Sequence, residues 1–351
     1  MKKSIISFTV LTVFLAFASG AAQAINVHEL NGTDLGMGAG ARAIGMGGAF
    51  IALGDDASAV FWNPAAMTKV SKTQETIMLD TNPSRYSFKS IVIRPKAWRK
   101  SKGDFALGIA RTNRLKYIAD GDWAQGNASH LIDLSMINVE RNYVGGLNSR
   151  TTDLRVSFAG RIPGAEKLAV GATYIDFNCV TTFYLQGTGR VCQTVAYKTM
   201  DFGLLYDMDA KKRFGLTLRN PIEPSKPKYL ILGSAFFKGK DTFTLDIERI
   251  FGEYGNDRRK CNFLMLRGGW ERKLNDGWRT RAGIIIPLRA RTSTLGDIRS
   301  KLPSPKFGGA AGVGYTFRSY TLDLALYGDP GKSYVKSKAV ISGVLSLSHG
   351  F

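Results

Sequence analysis

The groups in this chain that could make or break bonds are few. His28, His130 and His349 are its three histidines, and Cys179, Cys192 and Cys261 its three cysteines. Neither Gly-x-Ser-x-Gly nor His-Glu-x-x-His occurs, so no activated serine and no zinc-hydrolase helix is legible. The cysteines lack the short paired spacing of a metal site. One stretch does carry a chemical signature. Gly36-Met-Gly38-Ala-Gly40-Ala41 fits a loose dinucleotide fingerprint, and Asp55, Asp56 and an Asn63-Pro64 pair follow it. A working fingerprint leaves a buried strand and opens a helix within a βαβ unit. The residues before this one, Ile25 to Leu35, are too polar and too few for that strand. The chain reads as a non-enzyme, with no cofactor and no metal.

The first residues explain the setting. Lys2 and Lys3 precede an apolar run from Ile5 to Phe17, and Ala22-Gln23-Ala24 is a small-x-small cleavage pattern. Residues 1–24 are expected to be a signal peptide, so the mature chain starts near Ile25 and is exported. Lys and Arg number 48 against 28 Asp and Glu. Such a surplus asks for an anionic partner or surface. Export sets nucleic acid aside and leaves lipid headgroups, a carboxylate ligand or a charged cell surface.

From Gln74 onward the hydrophobic pattern has period two. In Asp153–Ile162, Leu154, Val156, Phe158 and Ile162 share one parity, and Asp153, Arg155, Ser157 and Arg161 the other. A strand sends alternate side chains to opposite faces, so one face is apolar and one polar. Pro163-Gly164, Gly239-Lys240-Asp241 and Asn275-Asp276-Gly277 mark turns. The fold class is all-β. An apolar face can turn inward, in a soluble sandwich, or outward to lipid, in a barrel with a polar lumen. Alternation alone does not separate the two. After residue 24 no run of eighteen apolar residues offers a spanning helix. The chain ends in Phe351, in parity with Leu345, Leu347 and His349, which resembles the assembly signal of bacterial outer-membrane barrels.

Fifteen strand candidates run from 74–81 to 338–351. Single-chain bacterial barrels have even strand numbers. Treating 131–140 as part of one long excursion, 112–150, leaves fourteen antiparallel transmembrane strands over 74–351. Residues 179–194 then form a long connection on the outer side. A barrel of this size needs its lumen filled. Residues 25–73 are the expected N-terminal hatch, plugging it. There Asp55 or Asp56 would N-cap a short helix, Ala57 to Trp62, and Pro64 would end it. Phe50, Phe61 and Trp62 argue against a disordered linker.

The segment "GARAIGMGGAFIALGDDASAVFWNPAAM" closely resembles the N-terminal hatch of the FadL-like outer-membrane family. That family includes long-chain fatty-acid and aromatic-hydrocarbon channels and a PorV-like branch, to whose strands "RTTDLRVSFAG", "LAVGATYID" and "DFGLLYD" are similar. The resemblance implies a plugged fourteen-strand barrel that takes up hydrophobic ligands, such as long-chain fatty acids, with lateral exit through its wall. The PorV-like branch implies the alternative, an outer-membrane component of a protein-secretion pathway with exported proteins as partners. The other expected partners are hydrophobic small molecules or lipid, and the barrel-assembly machinery. The expected location is the outer membrane of a diderm bacterium, after signal-peptide removal.

Five groups of residues are singled out for function. Asp55, Asp56, Phe61, Trp62, Asn63 and Pro64 would hold or gate the hatch. By parity Arg155, Arg267 and Arg281 face the lumen. They either hold a ligand carboxylate or pair with lumen acids such as Asp153, Asp246, Glu248 and Glu271. Cys179 and Cys192 are candidates for a disulfide in an oxidising compartment, or are two thiols. Pro95, Gly103 and Gly108 mark either a lateral opening or, for Pro95, the start of a turn. Phe351 is the candidate assembly signal.

Overall fold

The computed structural model describes residues 38–80, 86–100, 103–119, 144–185, 189–224, 226–254, 259–275, 277–293, 308–328 and 341–351. The signal peptide, His28, His130 and the 131–140 segment lie outside these residues.

Fourteen strands follow one another in chain order: β1 Gln74–Asp80, β2 Ser87–Ile93, β3 Ala106–Ala119, β4 Val144–Ile162, β5 Ala165–Leu185, β6 Gly189–Asp207, β7 Lys212–Arg219, β8 Lys228–Lys238, β9 Asp241–Tyr254, β10 Arg259–Lys273, β11 Trp278–Ser293, β12 Gly308–Phe317, β13 Tyr320–Gly328 and β14 Ile341–Gly350. Each pairs antiparallel with its sequence neighbours, and β1 pairs β14, so the sheet is a closed barrel. Closure leaves no edge strand with unpaired backbone groups, which a lipid environment requires. The seam is held in register by Ile77↔Leu347 and Leu79↔Leu345.

The alternation works as the pattern requires. On β4, Leu154, Val156 and Phe158 point outward and stay exposed, while Asp153, Arg155 and Ser157 point inward and are buried. The outward apolar face is continuous around the barrel and ends in aromatics such as Trp278, Phe317 and Tyr320 at the end holding both barrel termini. That lower end carries the tight turns, where Gly164 (φ 85°) and Gly239 (φ 60°) adopt backbone that a side chain would strain.

The strands are longer than the sequence pattern predicts at the opposite, upper end. Residues 179–194, expected as a connection, are instead a projecting hairpin of β5 and β6, paired out to Leu185↔Gly189. Its Val, Thr, Phe and Tyr residues favour the pleated conformation, and their alternation is too weak for a burial-based reading to detect. The hairpin also rules out the Cys179–Cys192 disulfide. The register sets Cys179 opposite Val195 and Cys192 opposite Thr182. That offset of three residues is about 10 Å of strand, beyond the Cα separation a disulfide spans, and the odd step turns the two side chains to opposite faces. Thr151 Oγ1 donates to Cys179 Sγ at 3.4 Å, and Cys192 Sγ lies 3.6 Å from Thr182 Oγ1.

Ahead of β1 the chain folds into the lumen. Helix α1 (Ala41–Gly45), helix α2 (Ala59–Trp62) and a 3-10 helix (Pro64–Lys69) form a compact body whose residues are almost all buried. Helix α3 (Lys96–Lys100) lies after β2 and packs no core.

Candidate functional site

The plug meets the wall backbone to backbone. Gly108 on β3, Gly171 on β5, Gly203 on β6, Gly215 on β7, Gly269 on β10 and Gly283 on β11 all turn toward it. A methyl added at Gly171 would come within 2.6 Å of Ala65 N. One at Gly215 would come within 2.7 Å of Ile51 O, and one at Gly269 within 2.7 Å of Met46 O. One at Gly283 would overlap the Gly47 backbone. The side-chain-free girdle is what allows so small a hatch to fill the lumen.

Polar contacts fix its orientation. Asn63 is fully buried; its Nδ2 donates to Ile51 O (2.9 Å) within the hatch and to Leu204 O (3.0 Å) on β6, and its Oδ1 accepts from Ala65 N (3.1 Å). Asp246 Oδ2 on β9 accepts from Phe50 N (2.8 Å) and Ile51 N (3.1 Å). Arg219 Nη2 on β7 donates to Phe61 O (2.8 Å) and Trp62 O (3.1 Å), and Trp62 Nε1 donates to Ala39 O (2.8 Å).

Asp55 and Asp56 act differently from the helix caps the sequence predicts. Helix α2 begins at Ala59, two residues later than expected, and no side chain caps it. Asp56 Oδ1 instead accepts from Ser58 N (2.9 Å) and Ser58 Oγ (2.5 Å), an Asx-type turn that delays the helix. Both carboxylates reach Arg42, whose Nη1 lies 2.5 Å from Asp55 Oδ1 and 3.2 Å from Asp56 Oδ2. Burial pushes the Asp56 carboxyl above its ordinary range, with Arg42 offsetting only part of it. Arg42 continues to the wall, donating from Nε and Nη2 to Glu271 at 2.9 Å each.

The lumen arginines are committed to acids. Arg155 Nη2 pairs with Asp153 (2.7 Å) and Nη1 with Asp201 (3.5 Å). Arg267 Nη2 pairs with Glu248 (2.9 Å) and Nη1 donates to Gly47 O (3.2 Å). Arg281 pairs with Glu271 (2.7 Å) and Asp323 (2.8 Å). All three are nearly fully buried. The expectation that they hold a ligand carboxylate is corrected: their charge is met by wall acids, and leaving such acids unpaired would be costly.

Above this charged layer the inward side chains change character. Phe88, Phe177, Tyr197, Tyr229, Phe263 and Tyr327 project inward from β2, β5, β6, β8, β10 and β13. Phe177 and Tyr197 stack at 4.5 Å, Lys226 Nζ sits 4.6 Å over the Tyr197 ring, and Phe88 meets hatch Phe61 edge-on at 6.3 Å. Inward aromatics are thus packed and buried in the upper lumen above the hatch, where a simple polar lumen was expected. The signal was present: "YLIL" in β8 is apolar at both parities, so Tyr229 and Ile231 face inward as Leu230 and Leu232 face outward.

No protein-family model and no curated relative matches the sequence. Solved structures do. The Pseudomonas putida toluene transporter TodX matches with a TM-score of 0.61 at 14% identity, covering 90% of this chain and 99% of its own. The Ralstonia pickettii toluene transporter TbuX matches with a TM-score of 0.61 at 14% identity, covering 90% and 98%. A Pseudomonas aeruginosa FadL homologue matches with a TM-score of 0.58 at 14% identity, covering 88% and 96%. The chain has the FadL-type fold.

In this FadL-type barrel the remaining expected sites fall as follows. Ladder β2–β3 runs unbroken through Ile91↔Ile109, Val92↔Gly108 and Ile93↔Leu107. Gly108 is therefore no wall gap; a Cβ there would come within 2.6 Å of Val60 Cγ2, so it is a girdle position. Gly103 lies below the ladder, its carbonyl accepting from Arg161 N (2.5 Å), and Pro95 starts helix α3, its carbonyl accepting from Trp98 N (3.0 Å). In place of the lateral opening expected at Pro95, Gly103 and Gly108 stand a helix start, a backbone contact below the ladder and a packing contact with the hatch. Phe351 donates its backbone N–H to Thr73 O (2.9 Å), and its exposed ring meets His349 edge-on at 4.4 Å. Among the described residues no group of His, Cys, Asp and Glu is arranged to hold a metal.

Proposed function

We propose that this chain is an outer-membrane channel for hydrophobic small molecules, which enter among the upper-lumen aromatics and leave sideways through the wall. The observation that carries the reading is the cluster of inward aromatics in the upper lumen. Inward aromatics stand beside and above ion pairs in which Arg155, Arg267 and Arg281 are already matched by acids, so the upper lumen is lined by apolar side chains and these three arginines are not free for a ligand carboxylate. An apolar ligand gains about 0.8 kcal/mol per buried methylene there. The FadL-type fold, shared with the toluene transporters TodX and TbuX, supports the same class of ligand. The floor supports sideways exit, since the hatch occupies the axial route and an aqueous exit would re-expose the ligand. The wall would have to part, and the β1–β2 ladder, with six register pairs, is the shortest.

The test is uptake of labelled toluene and labelled long-chain fatty acid by cells carrying the native chain or the Phe177→Arg variant. Phe177→Arg should reduce uptake at least several-fold with the barrel still assembled. Equal uptake by both, or no uptake with impaired protein export when the gene is deleted, would overturn the channel reading for the secretion role. We further propose that the assembly machinery reads the Phe351 end. Removing Phe351 should lower the amount of heat-modifiable barrel in the outer membrane, and unchanged abundance would count against it.

A further inference from the structure

The outward face of the wall is apolar from its lower rim upward, and on four strands that run stops at a cation. Ile91 gives way to Lys89 on β2, Ile109 to Arg111 on β3, Met200 to Lys198 on β6 and Ile247 to Arg249 on β9. These four cations are all exposed, and in a barrel with an outward apolar band such a change is expected where hydrocarbon gives way to headgroups. Two of them have a local partner. Lys198 stands directly opposite Asp176 in the β5–β6 register, and Arg249 lies over the Phe251 ring at 5.3 Å.

Lys89 and Arg111 are placed otherwise: the register sets them directly opposite one another. Like charges facing across a ladder destabilise it. Their other cross-strand neighbours are Ile77 and Leu154, and along their own strands the outward residues are Ser87, Ile91, Ile109 and Asn113. The nearest acid in this register is Glu75, diagonal to Lys89, and its Oε1 lies 3.7 Å from His349 Nδ1. Among the described residues the pair thus combines two cations, no acid facing it in the register and an apolar surface directly beneath.

We propose that Lys89 and Arg111 together hold a phosphate of an anionic outer-leaflet lipid, whose acyl chains lie along Ile77, Ile91, Ile109 and Leu154. Side chains facing across a ladder start about 5 Å apart, close enough for one phosphate to accept from both. Arginine supplies a planar fork of donors and lysine a mobile point charge, the two common modes of phosphate binding. A bound phosphate turns the repulsive pair into two attractive contacts. The inference stands apart from the transport reading, because the site faces lipid and not the lumen.

The full-length mature chain in phosphatidylcholine nanodiscs, titrated with lipid A, tests it, with native mass spectrometry reading the bound lipid. The wild type should retain lipid A, and the Lys89→Gln/Arg111→Gln variant should bind it about ten-fold more weakly, the factor that about 1.4 kcal/mol represents. Lys198→Gln, whose charge is matched by Asp176, should bind like the wild type. Dephosphorylated lipid A should lose the preference. In discs without anionic lipid the double variant should melt higher than the wild type, because repulsion has been removed; this readout also shows that it folds. Equal binding by the double variant, equal binding of dephosphorylated lipid, or an equal loss in Lys198→Gln would overturn the site. Displacement of the lipid by millimolar inorganic phosphate alone would show a general anion site and overturn the lipid assignment.

Discussion

Below the level of Asp246 and Arg267 the lumen is closed by backbone, and above it by side chains. The lower half sets wall glycines against hatch main chain and locks the contact with buried charges. The upper half has long strands, a projecting hairpin and inward aromatics. Backbone contact has one geometry and little tolerance, because a single methyl cannot be absorbed by a rotamer change. Aromatic side chains can shift around an apolar guest. The seal therefore belongs to the floor and the adaptable surface to the upper aromatics.

Breaking the floor at its charged centre should have the largest effect. Glu271 accepts from Arg42 of the hatch and from Arg281 of the wall. Glu271→Ala leaves the buried Arg281 guanidinium and the partly buried Arg42 guanidinium short of an anion, a loss of about 3–5 kcal/mol for a broken buried pair. The variant should lose heat-modifiable migration at markedly lower temperature, and Glu271→Gln should fall between it and the wild type. A melting profile like the wild type's would mean that Asp323, Asp55 and Asp56 suffice.

A smaller break separates hatch from wall without touching charge. Asn63→Ala removes donors to Ile51 O and Leu204 O and the acceptor for Ala65 N. Each buried carbonyl left unpaired costs about 1–3 kcal/mol, falling on the hatch more than on the barrel. Cells carrying Asn63→Ala should become more sensitive to large antibiotics normally excluded by the outer membrane, with barrel abundance unchanged. Unchanged sensitivity would remove Asn63 from any gating role.

The two halves also differ in how far the sequence announced them. Period two revealed the wall, and its boundaries lie within a few residues of the strands at the lower end, where turns carry Gly164 and Gly239. The hatch stood out because Gly, Ala and an Asn-Pro pair cluster in one segment. The wall glycines that receive it went unnoticed, since Gly171 and Gly215 look like ordinary strand interruptions until a second chain is seen against them. Arg42 was equally invisible as the link between Asp55, Asp56 and Glu271, because 215 residues separate the last of these from the hatch aspartates in chain order. In the upper half the alternation fades, as strands leave the level where one face must be apolar, so the sequence does not reveal the register that separates Cys179 from Cys192.

That register supplies the mildest perturbation. If 179–194 were a loop, Cys179 and Cys192 could meet and reductant would loosen the outer side of the barrel. In the observed hairpin the register holds them three residues apart on opposite faces. Cys192 is exposed on the outward face, whereas Cys179 is partly buried on the inward face beside Thr151. In the unreduced native protein Cys192 should alkylate readily and Cys179 slowly. After denaturation without reductant both should react fully, and added reductant should leave the melting temperature unchanged. Recovery of Cys179 and Cys192 in one linked peptide after non-reducing digestion would show that the hairpin register is wrong. It would also turn the upper half from an adaptable rim into a pinned one.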